Sequence, residues 1–390
     1  MAVAIGALGA IDLIAVADEL PVVDDSSSTT KKATGQQVLD FVEDNLLPNM
    51  VEKGDNLLNP VINGAFNVWQ RGTSFTGATI PLNSDDTYLM DRWYILSDGN
   101  DTIDVTRETS VIPTGGLYAC ALDVETTNRK FGIAQIIEQK NCVGFIGQTC
   151  TLSFKAKVSA TTKLDNLKAA IISWSSTADT VTSDIVSAWG VEGTNPTLVA
   201  NMTYENTPGN LNPTTNYATY SVTGAIDTAS TTNIVLFIWS DVTDTTAGDF
   251  LYITDVKLEV GSTASAFVPR LFQDELALCS RHYQKSFDYV TAPAQNAGTP
   301  GGTLAQSPFT ATSRFGVSVS FSPPMFALPT VTTYNPSAAN AEARNNTDGA
   351  DNSGTTASVT QKNMYLNWIP NAANTIADNH IVHWSAQAEL

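Results

Sequence analysis

Hydrophobic and polar residues alternate in short runs along most of this chain, and turn residues punctuate them. Thr102-Ile103-Asp104-Val105-Thr106 alternates cleanly, and so does Thr149 through Val158. A period of two buries one face of a strand and wets the other. Ala169 to Trp174 and Asn233 to Trp239 are more uniformly apolar instead, which predicts central strands. Thr177 to Asp184 and Thr203 to Asn216 are polar and predict loops. Between Leu57 and Phe267 the pattern predicts about eight to ten short strands and no long helix. That is an antiparallel β-sandwich, jelly-roll-like in its strand spacing.

A second, smaller β region follows. Phe315 to Phe321 alternates, Pro323 to Val331 carries Pro-flanked apolar residues, and Asn363 to Trp368 and His380 to Leu390 read as further strands. A very polar stretch, Asn335 to Thr356, lies between them. Phe272 to Tyr283 reads as a short helix joining the two β regions. No fixed-period repeat runs through the chain, which excludes a β-helix over most of its length.

Before Leu57 the chain changes character. Ala10 to Val23 predicts an extended stretch ended by the turn Asp24-Asp25-Ser26-Ser27-Ser28. Thr34-Gly35-Gln36-Gln37 is a capping box, and Val38, Phe41, Val42 and Leu46 follow as an apolar stripe, so a helix is predicted over 34–47. A helix this short is marginal alone in water, so the stripe needs partners. Two further copies around an axis, an attachment platform or its own domain would each supply them. The resulting division is an N-terminal segment 1–56, a sandwich 57–270, a connector 271–286 and a C-terminal β domain 287–390.

Composition narrows the function. Only 15% of the 390 residues are charged, so the polar surface comes from Thr, Ser, Asn, Gln and Gly, which suits strands and turns. The net charge is −19 and no basic run exists, which excludes nucleic acid as a partner. The apolar start, Met1 to Val16, lacks a basic flank and is broken by Gly6 and Gly9, so neither a secretory signal nor membrane insertion is expected. The four cysteines, at 120, 142, 150 and 279, form no Cys-x-x-Cys pair and read as buried thiols. His380 and His383 have no cysteine nearby, so no zinc site is expected.

Four phrases in the sequence carry a resemblance. Asn59-Pro60-Val61-Ile62-Asn63-Gly64-Ala65-Phe66-Asn67-Val68-Trp69-Gln70-Arg71-Gly72 opens the sandwich, and Phe250 to Gly261 with Phe267-Val268-Pro269-Arg270 closes it. Both resemble the opening and closing phrases of carbohydrate-binding-module-like β-sandwich domains in bacteriophage tail fibres and virion adhesins. Asp274 to Tyr283 is similar to a stretch that follows such sandwiches, with His282 where the family shows Tyr. Met325-Phe326-Ala327-Leu328-Pro329-Thr330-Val331 and the ending Trp384-Ser385-Ala386-Gln387-Ala388-Glu389-Leu390 are similar to C-terminal fibre domains.

The resemblance implies a non-enzymatic virion protein, assembled in a host cytoplasm. It would be a homotrimeric tail fibre or spike, attached to tail or capsid proteins through its N-terminus and binding a bacterial surface glycan. A capsid head fibre or decoration protein, and a freestanding carbohydrate-binding protein or glycosidase, are the alternatives. The residues themselves offer little catalysis: no Gly-x-Ser-x-Gly elbow occurs. Glycan contact needs aromatic faces beside amides and hydroxyls. Tyr334, Tyr365, Trp368 and Trp384 are the candidates, while Phe66, Trp69 and Trp93 read as core. No cofactor is expected. Two acidic turns, Asp98-Gly99-Asn100-Asp101 with Asp104 and the set Asp241, Asp244 and Asp249, are weak structural-calcium candidates that lack the EF-hand pattern.

Overall fold

The structure is a computed structural model that describes residues 19–24, 29–34, 59–77, 86–99, 102–228, 230–308 and 313–390. The chain divides into two units, Met1–Leu58 and Asn59–Leu390. In the first unit β1 (Glu19–Asp24) pairs antiparallel with β2 (Thr29–Thr34) as a hairpin. Of the predicted turn only Asp24, the last residue of β1, is described, and Thr34 ends β2. The stripe Val38, Phe41, Val42 and Leu46 of the predicted helix 34–47 lies outside the described residues. The predicted segments from 59 onward all fall within the second unit.

That unit is mainly β and antiparallel. In chain order it begins with β3 (Ser74–Phe75), β4 (Tyr94–Ser97), β5 (Ile103–Glu108), β6 (Ala119–Val124) and β7 (Phe131–Ile137). A single turn of helix, α1 (Gln139–Cys142), precedes the long strands β8 (Thr149–Val158) and β9 (Leu167–Trp174). Three short strands follow, β10 (Val186–Ala188), β11 (Thr197–Leu198) and β12 (Met202–Tyr204), and then β13 (Ala218–Ala225), β14 (Asn233–Ser240) and β15 (Phe250–Val260). They form a five-stranded sheet, β12-β9-β14-β7-β4, facing a six-stranded sheet, β13-β8-β15-β6-β5-β3. Most successive strands switch sheets, as in a jelly roll, while β5 and β6 pair as neighbours within the six-stranded sheet.

The core between the sheets is filled by the inward positions that alternation predicts. Cys150, Leu152, Phe154, Ala156 and Val158 of β8 point into it, together with Ile103 and Val105 of β5. The uniformly apolar β9 and β14 are buried on both faces for a reason the sequence does not announce. The segment after β9 folds back over the outer face of the five-stranded sheet. Val181, Ile185, Val186 and Trp189 form a second core there with Tyr94, Ile172, Phe237 and Trp239. This cover is anchored by buried charge. Lys168 lies 2.7 Å from Asp241, which Lys130 also meets, and Lys130 Nζ donates to the Val191 carbonyl at 2.8 Å. Thr177 to Asp184 carries no strand, as expected of a loop, but its Val181 packs into the lid, whose short strands β10 and β11 lie just beyond it.

The opening and closing phrases are one structural unit. Asn63 adopts φ 59° and Phe66 φ 51°, the left-handed region that Asn tolerates and Phe rarely enters. The Asn63 side chain stabilises that turn, donating from Nδ2 to Val68 O at 2.8 Å and accepting from Val68 N at 2.9 Å. Gly64 serves close approach. Its backbone lies against β15, and a Cβ there would overlap the Val256 carbonyl oxygen. Val256 N donates to Gly64 O at 2.9 Å, so the two phrases meet directly. Trp69 and Trp93 are fully buried in the sandwich core as expected, with Trp93 Nε1 donating to Asn63 O.

The chain leaves the sandwich through α2 (Phe272–Ser280), which is tied to the opening phrase: Asn63 N donates to Glu275 Oε1 at 2.6 Å. Strands β16 (Tyr283–Lys285), β17 (Thr303–Gln306), β18 (Phe315–Ser320) and β19 (Thr330–Tyr334) come next. They are followed by β20 (Arg344–Asn345), β21 (Ala350–Asp351), β22 (Ser353–Val359), β23 (Asn363–Ile369) and β24 (Asn379–Gln387). β24 pairs with β16, β17, β19 and β20, and a three-stranded sheet, β18-β23-β22, packs with it around one core. Gly64→Ala tests the contact between the two phrases. The added methyl must displace β15 backbone, and denaturant unfolding should show a loss of about 1–3 kcal/mol.

Candidate functional site

A cavity of about 780 Å³ lies where the C-terminal sheet meets the sandwich. Its floor follows from period two. In β24, Val382, Trp384, Ala386 and then Ala388 point into the C-terminal core, which sends Ser385 and Gln387 to the opposite face. Register places Tyr283 of β16 and Thr330 of β19 beside Gln387, and Thr332 beside Ser385. Tyr334 completes the row, its hydroxyl 3.1 Å from Ser385 Oγ. The facing wall comes from the sandwich: Arg71, Asp86, Thr87 and Tyr88, with Ser183 from the lid.

The site is built on buried charge. Glu389 bonds Arg71 Nη2 at 3.0 Å through Oε1 and pairs with Arg92 through Oε2, and its side chain is only 3% exposed. Burial opposes ionisation of Glu389, but Arg92 and Arg71 outweigh it and hold the carboxyl below the usual glutamate value. The Arg71 guanidinium also lies over the Tyr283 ring, 4.0 Å from its centroid. Burial lifts the Tyr283 phenol to about 12, and it lifts Tyr88 further. Both phenols therefore stay neutral, able to donate and accept. Tyr88 already donates to Leu390 O at 2.7 Å. The groove thus offers the half-buried Tyr88 and Tyr334 rings, several hydroxyls and an amide, while Arg71 covers the buried Tyr283 ring and two arginines engage Glu389.

The four sequence candidates separate. Tyr334 lines the groove. Tyr365 is 44% exposed, on the outer face of the three-stranded sheet between Ser318 and Ser358, outside the groove. Trp368 and Trp384 are corrected to core: Trp368 is fully buried against Phe315 and His380, and Trp384 donates to Thr303 Oγ1 from within the same core. Their flanking polar residues suggested exposure, but both occupy inward positions of their strands. Tyr88, Tyr283 and Arg71 were missed. Tyr334 was legible because Thr330-Val331-Thr332-Thr333-Tyr334 sends Thr330, Thr332 and Tyr334 to one face, whereas Tyr283 joins them only through the pairing of β16 with β24. Tyr88 carries no local signal, because only the tertiary fold brings it there.

The acidic turns read differently in the structure. Asp241 is fully buried and neutralised by Lys130 and Lys168, which corrects it as a calcium ligand. Asp244 pairs with Lys163, and Asp249 accepts from Thr246 N. Asn100 and Asp101 lie outside the described residues. Among the described residues no group of three or more His, Cys, Asp or Glu side chains is placed to hold a metal ion. All four cysteines are buried and unpaired with one another. No described helix is long and apolar enough to cross a membrane.

No protein-family model matches the sequence, and no curated protein matches it. Among solved structures, 53% of the chain is similar to the enzymatically active domain of bacteriophage CBA120 tailspike protein 4, at 15% identity and TM-score 0.30. That match spans only 22% of the tailspike chain. The CBM22-1 xylan-binding domain of Paenibacillus barcinonensis Xyn10C is similar over 49% of this chain and 94% of its own, at 10% identity and TM-score 0.27. TmCBM61, solved with β-1,4-galactotriose, is similar over 43% of this chain and 88% of its own, at 14% identity and TM-score 0.24.

The arginine–glutamate cluster sets the acid limit of the groove. Ionised Glu389 contributes stability that is present above the ordinary glutamate value, about 4.3, and lost as pH falls through its lower folded value. Glu389→Gln removes the ion-pair partner of buried Arg92 and leaves Arg71 only Asp91, 4.0 Å away, and should cost about 3–5 kcal/mol at neutral pH. Thermal unfolding from pH 7 down to pH 3 checks this, because the variant lacks the Glu389 part of the acid-induced loss.

Proposed function

We propose that this chain binds a surface saccharide in the groove between sandwich and C-terminal sheet, and does so without catalysis. One observation carries the reading: Tyr88, Tyr283 and Tyr334 stand around one groove with Thr330, Thr332, Ser385 and Gln387. Tyrosine faces stack on sugar C–H groups, while hydroxyls and amides both donate and accept, as sugar hydroxyls require. Hydrolysis of a glycosidic bond needs two available carboxyl groups. Here Glu389 is held ionised and occupied at both oxygens by arginines, which leaves Asp86 alone among the carboxylates of the lining.

The sequence phrases support a virion setting for this activity. In that setting the chain acts as a homotrimeric tail fibre or spike, docked to tail or capsid proteins through its N-terminal segment, residues 1–56, and binding a bacterial glycan. A weak single groove suffices in that setting, because copies on one particle multiply affinity by effective concentration.

Two measurements test these statements. In glycan-array and host-cell binding by the full chain, Tyr334→Ala should weaken binding about tenfold or more, roughly the 1.4 kcal/mol of one good aromatic contact. Tyr365→Ala should leave it unchanged. The opposite ranking would move the contact to the outer sheet face. For assembly, light scattering at micromolar concentration should return three times the chain mass, and a mass near 41.6 kDa would refute the trimer.

A further inference from the structure

His282 sits between two groups that accept hydrogen bonds. Its Nε2 lies 2.9 Å from Glu138 Oε1, and its Nδ1 lies 3.1 Å from the backbone oxygen of Ala388. The ring is fully buried and stacks on Phe326, with centroids 5.1 Å apart. Three further charged groups face it. Arg281 precedes it and bonds Glu138 Oε2 at 3.0 Å, Arg92 comes from the sandwich, and Glu389 Oε2 lies 3.8 Å from Nδ1.

A carbonyl and an ionised carboxylate only accept, and a neutral imidazole carries one N–H. The neutral ring therefore satisfies one neighbour and turns a bare lone pair to the other. The cationic ring satisfies both. Burial works to raise the Glu138 carboxyl, but the His282 hydrogen bond and the charges of Arg281 and Arg92 hold it below the usual value, so Glu138 is the ionised, stronger acceptor. The single proton of the neutral ring belongs on Nε2, with Nδ1 bare against Ala388 O. Burial, and then Arg92, keep the ring neutral down to a pH below the usual histidine range.

We propose that His282 is a proton-operated clamp on the C-terminal wall of the groove. A proton taken from solvent onto the Nδ1 lone pair lets that nitrogen donate to Ala388 O. It also sets a cation beside Glu389, so the wall residues Ala388 and Glu389 are fastened as pH falls. The consequence for ligand binding rests on the saccharide reading of the groove; the clamp itself does not. Local fastening opposes global stability. Because the folded ring binds its proton less readily than the unfolded one, the His282 contribution to stability is complete above about pH 6.5 and lost as pH falls toward the folded value.

Ring-nitrogen NMR of the full chain tests the clamp directly, since only three histidines exist and His380 and His383 serve as internal references. The expected result is a bare Nδ1 and protonated Nε2 on His282 at pH 7, with Nδ1 gaining a proton below about pH 6.5. Over the same range hydrogen exchange at the Ala388 amide, which donates to His282 O at 2.7 Å, should slow about tenfold after correction for intrinsic rates. His282→Gln, with one fixed donor and one fixed acceptor, should abolish that change. An Nδ1 already protonated at pH 7, or Ala388 exchange that ignores the titration, overturns the proposal. The wild-type measurements decide alone if the variant does not fold. If the clamp titrates as described while no saccharide binds at any pH, the saccharide reading fails and the clamp stands.

Discussion

Two arginines of the sandwich must share one glutamate from the far end of the chain, and the rest of the structure depends on that pairing. Arg71 and Arg92 are buried where sandwich and C-terminal sheet meet, and Glu389 reaches both. An unpaired guanidinium in that setting costs several kcal/mol, so the seam tolerates no slippage. The same seam is reinforced from other elements: Gln70 donates to Asp91 and to Tyr283 O, and Glu138 at the end of β7 holds Arg281 and His282. Because hydrogen bonds and ion pairs are directional, they set the register of β24 against the sandwich in a way that apolar packing alone does not. The groove exists because this register leaves a gap between two surfaces that are otherwise locked together.

The lid over the five-stranded sheet follows the same rule. Its apolar residues bury Phe237 and Trp239, but its position is fixed by Lys130 and Lys168 around Asp241, with Gly193 N also donating to Asp241. One sheet face is thus closed by a segment of the chain itself. The six-stranded sheet keeps its outer face polar, with Lys155 paired to Asp255 at a bulge where Asp255 takes φ 55°.

Strand periodicity made the sandwich readable, because alternation is imposed by the pleat and survives any tertiary context. The long strands β8, β9 and β14 stand where the pattern put them. The lid was not readable: Thr177 to Asp184 is polar on average, and the few apolar residues beyond it gain meaning only when a sheet face lies beneath. The groove was half readable for a related reason. Tyr334 belongs to an alternating strand and could be named, whereas Tyr88 and Arg71 are local to other segments and meet it only through the Glu389 pairing. Trp368 and Trp384 misled because a tryptophan among asparagines and serines looks exposed, while the pleat turns those polar neighbours to the other face.

The buried charges also explain why so acidic a chain can present a neutral groove. Each buried cation is matched inside: Arg71 and Arg92 by Asp91 and Glu389, Lys130 and Lys168 by Asp241, Lys257 by Glu259. The interior is therefore close to neutral, and most of the net charge of −19 stays on the surface. A surface of one sign repels anionic partners at distances up to a Debye length, about 8 Å in physiological salt, and discourages nonspecific contact. An uncharged molecule approaches the groove free of that repulsion. An anionic one is admitted only where salt or divalent cations screen the surface, so the charge distribution favours a neutral ligand before any contact in the groove is made.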